Sequence, residues 1–552
     1  MSTHKKKFFY ERNDEFLNHS VNKTFEEVLW MTDEDFASWT KEVREVIVNI
    51  WDTLGQPPRV GLTEADMGDQ FRHMSQFPVA NFLVEDMFTG EKNCIKNSSI
   101  VGNAANQFFP TMMATKINYT SDTKGGLSIY DHFKKPELLK KMITYGRRHF
   151  KRDSFYHYSN PLRVFDPSLS DSAKGDYKKM FLFANFSDGA KGWITEFEKN
   201  HRGRGEWDYW IQPAKPTAEY SGYGSDLAKV KWYSLSRKEI EDMGDLIPNN
   251  CKTVMNDFET DLFQVRPFKL GQKIFPAGIK AYRISVCQYA VNFPPLTAKF
   301  LYEKYLRGRK EALIWDPSAG WGGRILGAMS ISEDAVNKVH YIGTDPNTDH
   351  NTTPGRTKYH ELADFYNAAK NKDILFLESH EHTYEIFQCG SEVMQDQPDF
   401  QKYKGKLDLV FTSPPYFAKE IYSSDATQSA TKFDTYSTWK KGFLEPTLET
   451  AAAWLKPGGH LLWNIADAKF GNQMLPLEED SIKIIKACGL EYVETMKMVL
   501  AQMPGGNRID TEDGKPMAKN FCKLKEAGIG GKGVGGRQSW FKYEPVLIFR
   551  KP

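Results

Sequence analysis

The run LDLVFTSPPYF at 407–417 brings a serine oxygen, two prolines and aromatic rings into immediate succession. Its first part, 408–411, is largely apolar and includes Val410, which suits a buried strand, and Pro414-Pro415 must end that strand. Ser413 to Tyr416 then sit where a strand leaves a sheet, the place at which open α/β sheets hold their ligands. The prolines fix the backbone, so a carbonyl can point outward without rearranging. A serine oxygen and such a carbonyl can together accept both hydrogens of an exocyclic NH2, and Tyr416 offers a flat face for a base to stack on. The same four residues would also serve as an ordinary turn, so the rest of the chain has to decide.

From about residue 280 the pattern alternates between strands and helices. Asn292-Phe293-Pro294-Pro295 leads into a helix over 296–306, and a strand over 312–315 runs directly into Asp316-Pro317-Ser318-Ala319-Gly320-Trp321-Gly322-Gly323. Glycines here let backbone approach a ligand closely and turn into a helix whose first amides would face it. The loop is neither GxGxxG nor a P-loop with its lysine, which lowers the dinucleotide and ATP readings. A second strand over 339–343 ends at Asp345, 29 residues after Asp316, a suitable span for one βα unit. An acid at that tip is where a ribose diol is held in a doubly wound fold, although an unliganded acidic turn would look the same. A helix over 358–370 follows, then Gly390-Ser391-Glu392 at the tip of a third strand, with the SPPY strand as the fourth. Lys456-Pro457-Gly458-Gly459 turns a helix over 447–455 into a strand over 460–465. A helix over 481–487 and strands over 491–501 and 544–549 complete the pattern. The glycine-rich stretch 504–538 reads as a loop, favoured as a mobile flap near the substrate over a disordered segment.

At 552 residues the chain exceeds one typical core, and two or three domains are expected. The net charge of +2 leaves nucleic-acid binding to local patches. Six scattered cysteines, without CxxC or histidines at ligand spacing, argue against a zinc site and a disulfide framework and for a reducing compartment. No apolar run is long enough for a membrane span and no signal peptide is visible, so a cytoplasmic location is expected. Residues 1–275 carry no motif. Helices over 33–54 and 63–74 could form a small reading head or merely pack together. A short helix is expected over 236–245. The stretch 134–163 interleaves Arg147, Arg148, Lys151 and Arg152 with Tyr145, Phe150 and Phe155, a mix that fits DNA backbone and base contact and equally a solvated helix face.

Taken together, 276–552 resembles the S-adenosylmethionine-dependent DNA amino-methyltransferases, which methylate cytosine N4 or adenine N6. Phe293-Pro294 resembles the segment holding the methionine part of the cofactor, and Asp316, Pro317, Ser318, Gly320 and Gly322 resemble the cofactor loop. Asp345 matches the ribose-binding acid, and Ser413, Pro414, Pro415 and Tyr416 match the catalytic loop. Two departures stand out. Ser318 replaces a phenylalanine whose contact would have to come from elsewhere, such as Trp321. Ser391 stands where an aspartate often meets the cofactor's adenine amine. The resemblance implies an α/β fold, a Rossmann-like class I methyltransferase domain with a mostly parallel seven-stranded sheet, over 276–552. An α+β or mostly helical region, 1–275, would precede it as a target-recognition or accessory part.

It also implies S-adenosylmethionine as cofactor, no metal, and double-stranded DNA as partner, with the target base flipped out to stack on Tyr416 and Phe417. Serine at the head of the motif favours cytosine N4 over adenine N6. No cysteine lies in the motif, which argues against cytosine C5 chemistry. An RNA base or a protein amide is the next competitor, and a catalytically inactive DNA-binding module is the reading from another class. Restriction–modification, viral genome marking and regulation of expression all remain open as the biological role.

Overall fold

The computed structural model describes residues 16, 18–23, 27, 31–54, 63–96, 102–117, 127–135, 290–371, 382–417, 419–423, 425–470, 473–500, 519–525 and 538–552, with six short strand segments between 163 and 265. Arg147, Arg148, Lys151 and Arg152 lie outside the described residues, as do the helix expected over 236–245, apart from its first residue, and most of the 504–538 stretch.

The N-terminal part contributes helices α1 (Asp33–Leu54) and α2 (Glu64–Gln76) and strands β1 (Leu83–Val84) and β2 (Cys94–Ile95). Next come α3 (Pro295–Leu306), β3 (Arg309–Asp316), α4 (Gly323–Met329), β4 (Val336–Thr344), α5 (Lys358–Asn371) and β5 (Thr383–Phe387). The chain continues through β6 (Leu407–Thr412), α6 (Glu445–Trp454), β7 (Leu455–Asn464), α7 (Leu477–Ala487), β8 (Glu491–Val499), β9 (Phe521–Lys525) and β10 (Gln538–Arg550). Helix α2 begins with a capping box, in which Thr63 accepts from the Asp66 amide at 3.1 Å and Asp66 accepts from the Thr63 amide at 3.2 Å.

One sheet organises the molecule. Its strands lie in the order β1-β2-β8-β10-β7-β6-β3-β4-β5, and β9 pairs separately with the start of β10. From β5 to β7 all pairings are parallel, and β10 inserts antiparallel between β7 and β8. This is the Rossmann-like α/β arrangement. The chain leaves β3 in one direction to build β4 and β5 and returns on its other side to build β6 and β7. Ligand crevices open at such a reversal, outside the carboxyl ends of the strands.

Alternate residues of the central strands feed two cores, as a strand's period of two requires. Ile314, Leu409, Phe411 and Leu462 join one core with α3, α4 and α5. Trp315, Val410, Leu461 and Trp463 join the other with α6 and α7. All six residues of β6 are buried, the polar Asp408 and Thr412 among them, which explains its largely apolar reading.

Residues within 63–96 and 102–117 pack into the core of the C-terminal sheet, across the expected division at residue 275. Phe71 of α2 packs against Phe365 and Tyr366 of α5 at centroid distances of 5.6 and 5.5 Å. Strand β2 pairs in parallel with β8, and buried Asp86 accepts from Lys497 Nζ at 2.6 Å. The Lys299 side chain of α3, wholly buried, donates to the Met74 and Ser75 carbonyls at 2.6 and 2.7 Å, closing the C-terminal end of α2. The 504–538 stretch is likewise not one featureless loop, since Phe521–Lys525 forms β9 within it.

Candidate active site

The loop after β3 is organised from behind by Asp316. Its carboxylate, fully buried, accepts from Arg324 Nε at 2.8 Å, from the Tyr341 hydroxyl at 2.7 Å and from Thr412 Oγ1 at 2.8 Å. Asp316 therefore joins three strand tips and the start of α4 without itself lining the cavity described below. The loop amides are also committed inside the protein. Ser318 N–H donates to Thr412 Oγ1 at 3.1 Å, Ala319 N–H to the Thr344 carbonyl at 2.9 Å, and Gly320 N–H to Asp345 Oδ2 at 3.0 Å. The expected row of amides facing a ligand is thus replaced, over these residues, by a rigid loop.

The glycines have separate jobs. Gly320 and Gly322 adopt φ of +61° and +77°, a region that strains other residues. A Cβ on Gly322 would also meet the Phe109 ring at 2.4 Å, so this glycine serves helix packing rather than ligand approach. A Cβ on Gly323 would lie 2.0 Å from the Phe293 carbonyl oxygen, a backbone atom that cannot swing aside. Gly323→Ala is expected to destabilise the fold by about 3 kcal/mol. A lower urea midpoint at unchanged slope would show it.

A cavity of about 750 Å³ opens at the reversal between β3 and β6, a size suited to a cofactor and part of a substrate. Phe293, Pro294, Pro317, Ser318 and Gly320 line one side, and Asp345 and Ser391 stand at the tips of the next strands. Asp345 is half-buried, with Oδ1 accepting from Asn347 N–H at 2.9 Å and lone pairs left over for ligand hydroxyls. Ser391 Oγ is paired with Thr447 Oγ1 at 2.9 Å. Trp321 also faces the cavity and meets Tyr422 edge-on at 5.4 Å, so an aromatic wall exists three residues beyond the phenylalanine position that Ser318 fills.

Ser413, Pro414, Pro415 and Tyr416 form the opposite wall. The Tyr416 hydroxyl accepts from Ala466 N–H at 3.2 Å, which fixes the ring, and burial pushes its phenol far above the usual range. Phe417 does not join it. At φ +52° the chain reverses there, and the ring enters the second core against Phe470, Tyr436 and Trp439 at 5.4, 6.0 and 6.0 Å. The expectation that Phe417 stacks on a base is corrected accordingly: a side chain buried in a core offers no free face. A π-turn at Lys440–Leu444 instead delivers Phe443 to the cavity.

The charged part of the lining is mostly acidic, which sequence reading missed. Glu392, Glu420 and Glu544 join Asp345, and Glu392 is paired with Lys432 Nζ at 2.8 Å. Arg324 is occupied by Asp316, and burial holds His350 below its usual pKa, hence neutral. Such a lining, with the loop amides already used, suits a neutral or cationic ligand and repels phosphates. S-adenosylmethionine, which carries a sulfonium and an ammonium, fits this donor and acceptor set.

Burial, and then the facing Glu420, push the Glu544 carboxyl up to about 7 despite nearby Lys542. Folded protein therefore holds a proton that unfolded protein loses from about pH 4.5 upward. Glu544 costs increasing stability as pH rises towards 7, and nothing further changes above that. Glu544→Gln is expected to raise Tm by a few degrees at pH 8 and hardly at all at pH 4.5, as read by thermal melts.

Fold and cavity together define the class as a Rossmann-like methyltransferase, whose sheet runs 3-2-1-4-5-7-6 when β3–β8 and β10 are counted in chain order. A DNA methylase family model, that of the N6 and N4 methylases, matches residues 407–511. This segment is therefore similar to the DNA methylases of the amino-methyltransferase type, and S-adenosylmethionine is the cofactor that this likeness and the fold imply. No curated protein sequence matches the chain. Among solved structures, it is similar to a precorrin-6y C5,15-methyltransferase from Geobacter metallireducens, with 13% identity, 46% of this chain and 86% of that chain covered, and a TM-score of 0.23. A TehB-like SAM-dependent methyltransferase from Corynebacterium glutamicum gives 15% identity, coverages of 48% and 90%, and 0.23. A protein described as a candidate DNA modification methylase from Thermus thermophilus gives 18%, coverages of 29% and 50%, and 0.17. The fold assignment rests on the sheet order rather than on likenesses at these scores.

Among the described residues, no helix is long and apolar enough to cross a membrane, and no three His, Cys, Asp or Glu side chains gather as a metal site requires.

Proposed function

We propose that the chain transfers a methyl group to the exocyclic amine of a base in double-stranded DNA, at cytosine N4. The observation that carries this reading is the single cavity shared by the Asp345 and Gly320 side, suited to the cofactor, and the Ser413–Tyr416 loop, suited to an amine-bearing base. S-adenosylmethionine, when bound, supplies an electrophilic methyl on a sulfonium sulfur. Asp345 would hold the ribose hydroxyls, and Phe293, Pro294 and Trp321 would cover the remaining cofactor surface.

An exocyclic amine is a poor nucleophile because its lone pair is delocalised into the ring. Ser413 Oγ and the Pro414 carbonyl would accept its hydrogens and favour a pyramidal nitrogen. As the carbon–sulfur bond breaks and the nitrogen–carbon bond forms, positive charge develops on nitrogen, and these fixed dipoles stabilise it. The electron pair stays on sulfur, and the methylated nitrogen then releases one proton to solvent. Tyr416 would stack on a base swung out of the duplex, and much of the rate would come from holding the reacting atoms in line. Arg147, Arg148, Lys151 and Arg152 are proposed to grip the DNA backbone.

The test is incubation with labelled S-adenosylmethionine and unmethylated duplex DNA, followed by mass spectrometry of the nucleosides. N4-methylcytosine is the expected product. N6-methyladenine would keep the reaction and change the base, whereas label found only in RNA or protein would overturn DNA as substrate.

A further inference from the structure

Asn464 ends β7 beside the catalytic loop. In the parallel pairing of β6 and β7, Thr412 lies opposite Trp463, so the next residues of the two strands are Ser413 and Asn464. The asparagine is fully buried within the protein and yet lines the cavity. Its Nδ2 donates to the Pro545 carbonyl on β10 at 3.0 Å. That bond fixes the amide's orientation, because the flipped amide would set two acceptor oxygens against each other. Oδ1 is then the atom without a hydrogen-bond partner among the described residues. A buried amide oxygen left unpaired is destabilising.

Above about pH 7, where Glu544 has lost its proton, the carboxylates Glu420 and Glu544 that line the same cavity bring acceptor oxygens, and the ligand is the source of a donor. We propose that Asn464 Oδ1 accepts one hydrogen of the target amine and is a specificity-determining residue for amine over keto bases. This rests on the amine-methylation reading. Serine is a short side chain at the head of the loop, and Asn464 supplies a planar carbonyl from the adjacent strand tip. The Pro414 carbonyl takes the second hydrogen, and Ser413 Oγ shares the first in a three-centre bond. A base with a keto oxygen at that position would set oxygen against Asn464 and be rejected.

The test uses the full chain with labelled S-adenosylmethionine, offered duplex DNA, RNA and protein as methyl acceptors, and comparing wild type with Asn464→Leu and Asn464→Asp. For Asn464→Leu, kcat on whichever acceptor wild type labels should fall about 100-fold. Cofactor affinity by equilibrium dialysis should stay within about threefold, since Asp345 and the β3 loop are untouched. Asn464→Asp covers the case in which the leucine variant fails to fold. Its protonated form can donate to Pro545 and still present a carbonyl, so its kcat relative to wild type should rise as pH falls. The titratable neighbours Glu420, Glu544 and Tyr416 are common to both proteins, and the ratio isolates position 464.

A leucine variant within threefold of wild-type kcat, a kcat loss that follows loss of cofactor binding, or a ratio flat with pH would each overturn the role of Asn464 while leaving amine methylation intact. Methyl transfer by wild type to none of the acceptors would overturn both.

Discussion

Tyr416→Ala is expected to lower kcat roughly 100-fold on duplex DNA while leaving S-adenosylmethionine affinity nearly unchanged. Stacking of one base on an aromatic ring contributes about 1–3 kcal/mol, and loss of the ring also frees the base to leave its reactive position. The cofactor wall is built from different elements, the β3 loop and the tip of β4, so removal of the ring does not reach it. Tyr416→Phe separates the two features of the side chain. It keeps the face and loses only the bond from Ala466 N–H, so a drop of about fivefold is expected. Initial rates at saturating cofactor, with dialysis for affinity, check both. Equal losses in the two variants would assign the effect to the hydroxyl and remove stacking from the mechanism.

The parts of this fold legible in the sequence are those whose signals are local. β6 is flanked by Lys406 and the prolines and is buried on both faces, so its apolar run and its end were both readable. The α3 helix was announced by Pro294-Pro295, and the observed Pro295–Leu306 agrees closely with the expected 296–306. Asp316, Asp345 and Ser413 could be placed on the tips of the first, second and fourth strands because each follows a strand with its own β-branched or aromatic run.

What was not legible depends on distant pairing. The two-residue strand β2 has no pattern of its own and exists because β8 offers it an edge. Strand β9 alternates in FCKLK but lies within glycine-rich flanks, and its partner begins only at Gln538. The difference between Tyr416 and Phe417 was likewise invisible. Adjacent aromatics look equivalent until a positive φ sends one to the cavity and the other into the core. Glu544 and Asn464 belong to strands recognisable from sequence, yet nothing marks their last turns outward as facing a ligand. The unpaired Oδ1 of Asn464 appears only once Pro545 is seen to occupy the other end of its amide.

Asp345→Ala is expected to weaken S-adenosylmethionine binding about 100-fold, with a smaller loss of kcat once cofactor is saturating. Two charge-assisted hydrogen bonds to ribose hydroxyls, at roughly 1.5–3 kcal/mol each, are removed. The same carboxylate also receives the Gly320 and Asn347 amides at 3.0 and 2.9 Å, so the loop after β3 loses its tie to the tip of β4. Asp345→Asn retains one acceptor and turns the other into a donor that faces an amide or a hydroxyl, and a loss of about tenfold is expected. Calorimetric titration with S-adenosylmethionine measures both values directly. Affinity unchanged in Asp345→Ala would mean that the ribose lies elsewhere in the cavity. The two variants also divide the two duties of the residue. If loop anchoring dominates, Asn and Ala should both lower Tm along with affinity, whereas a ligand contact lowers affinity at nearly constant Tm. The latter is expected, because Ser318 and Ala319 keep their own bonds to Thr412 and Thr344 and hold the loop when Gly320 is released.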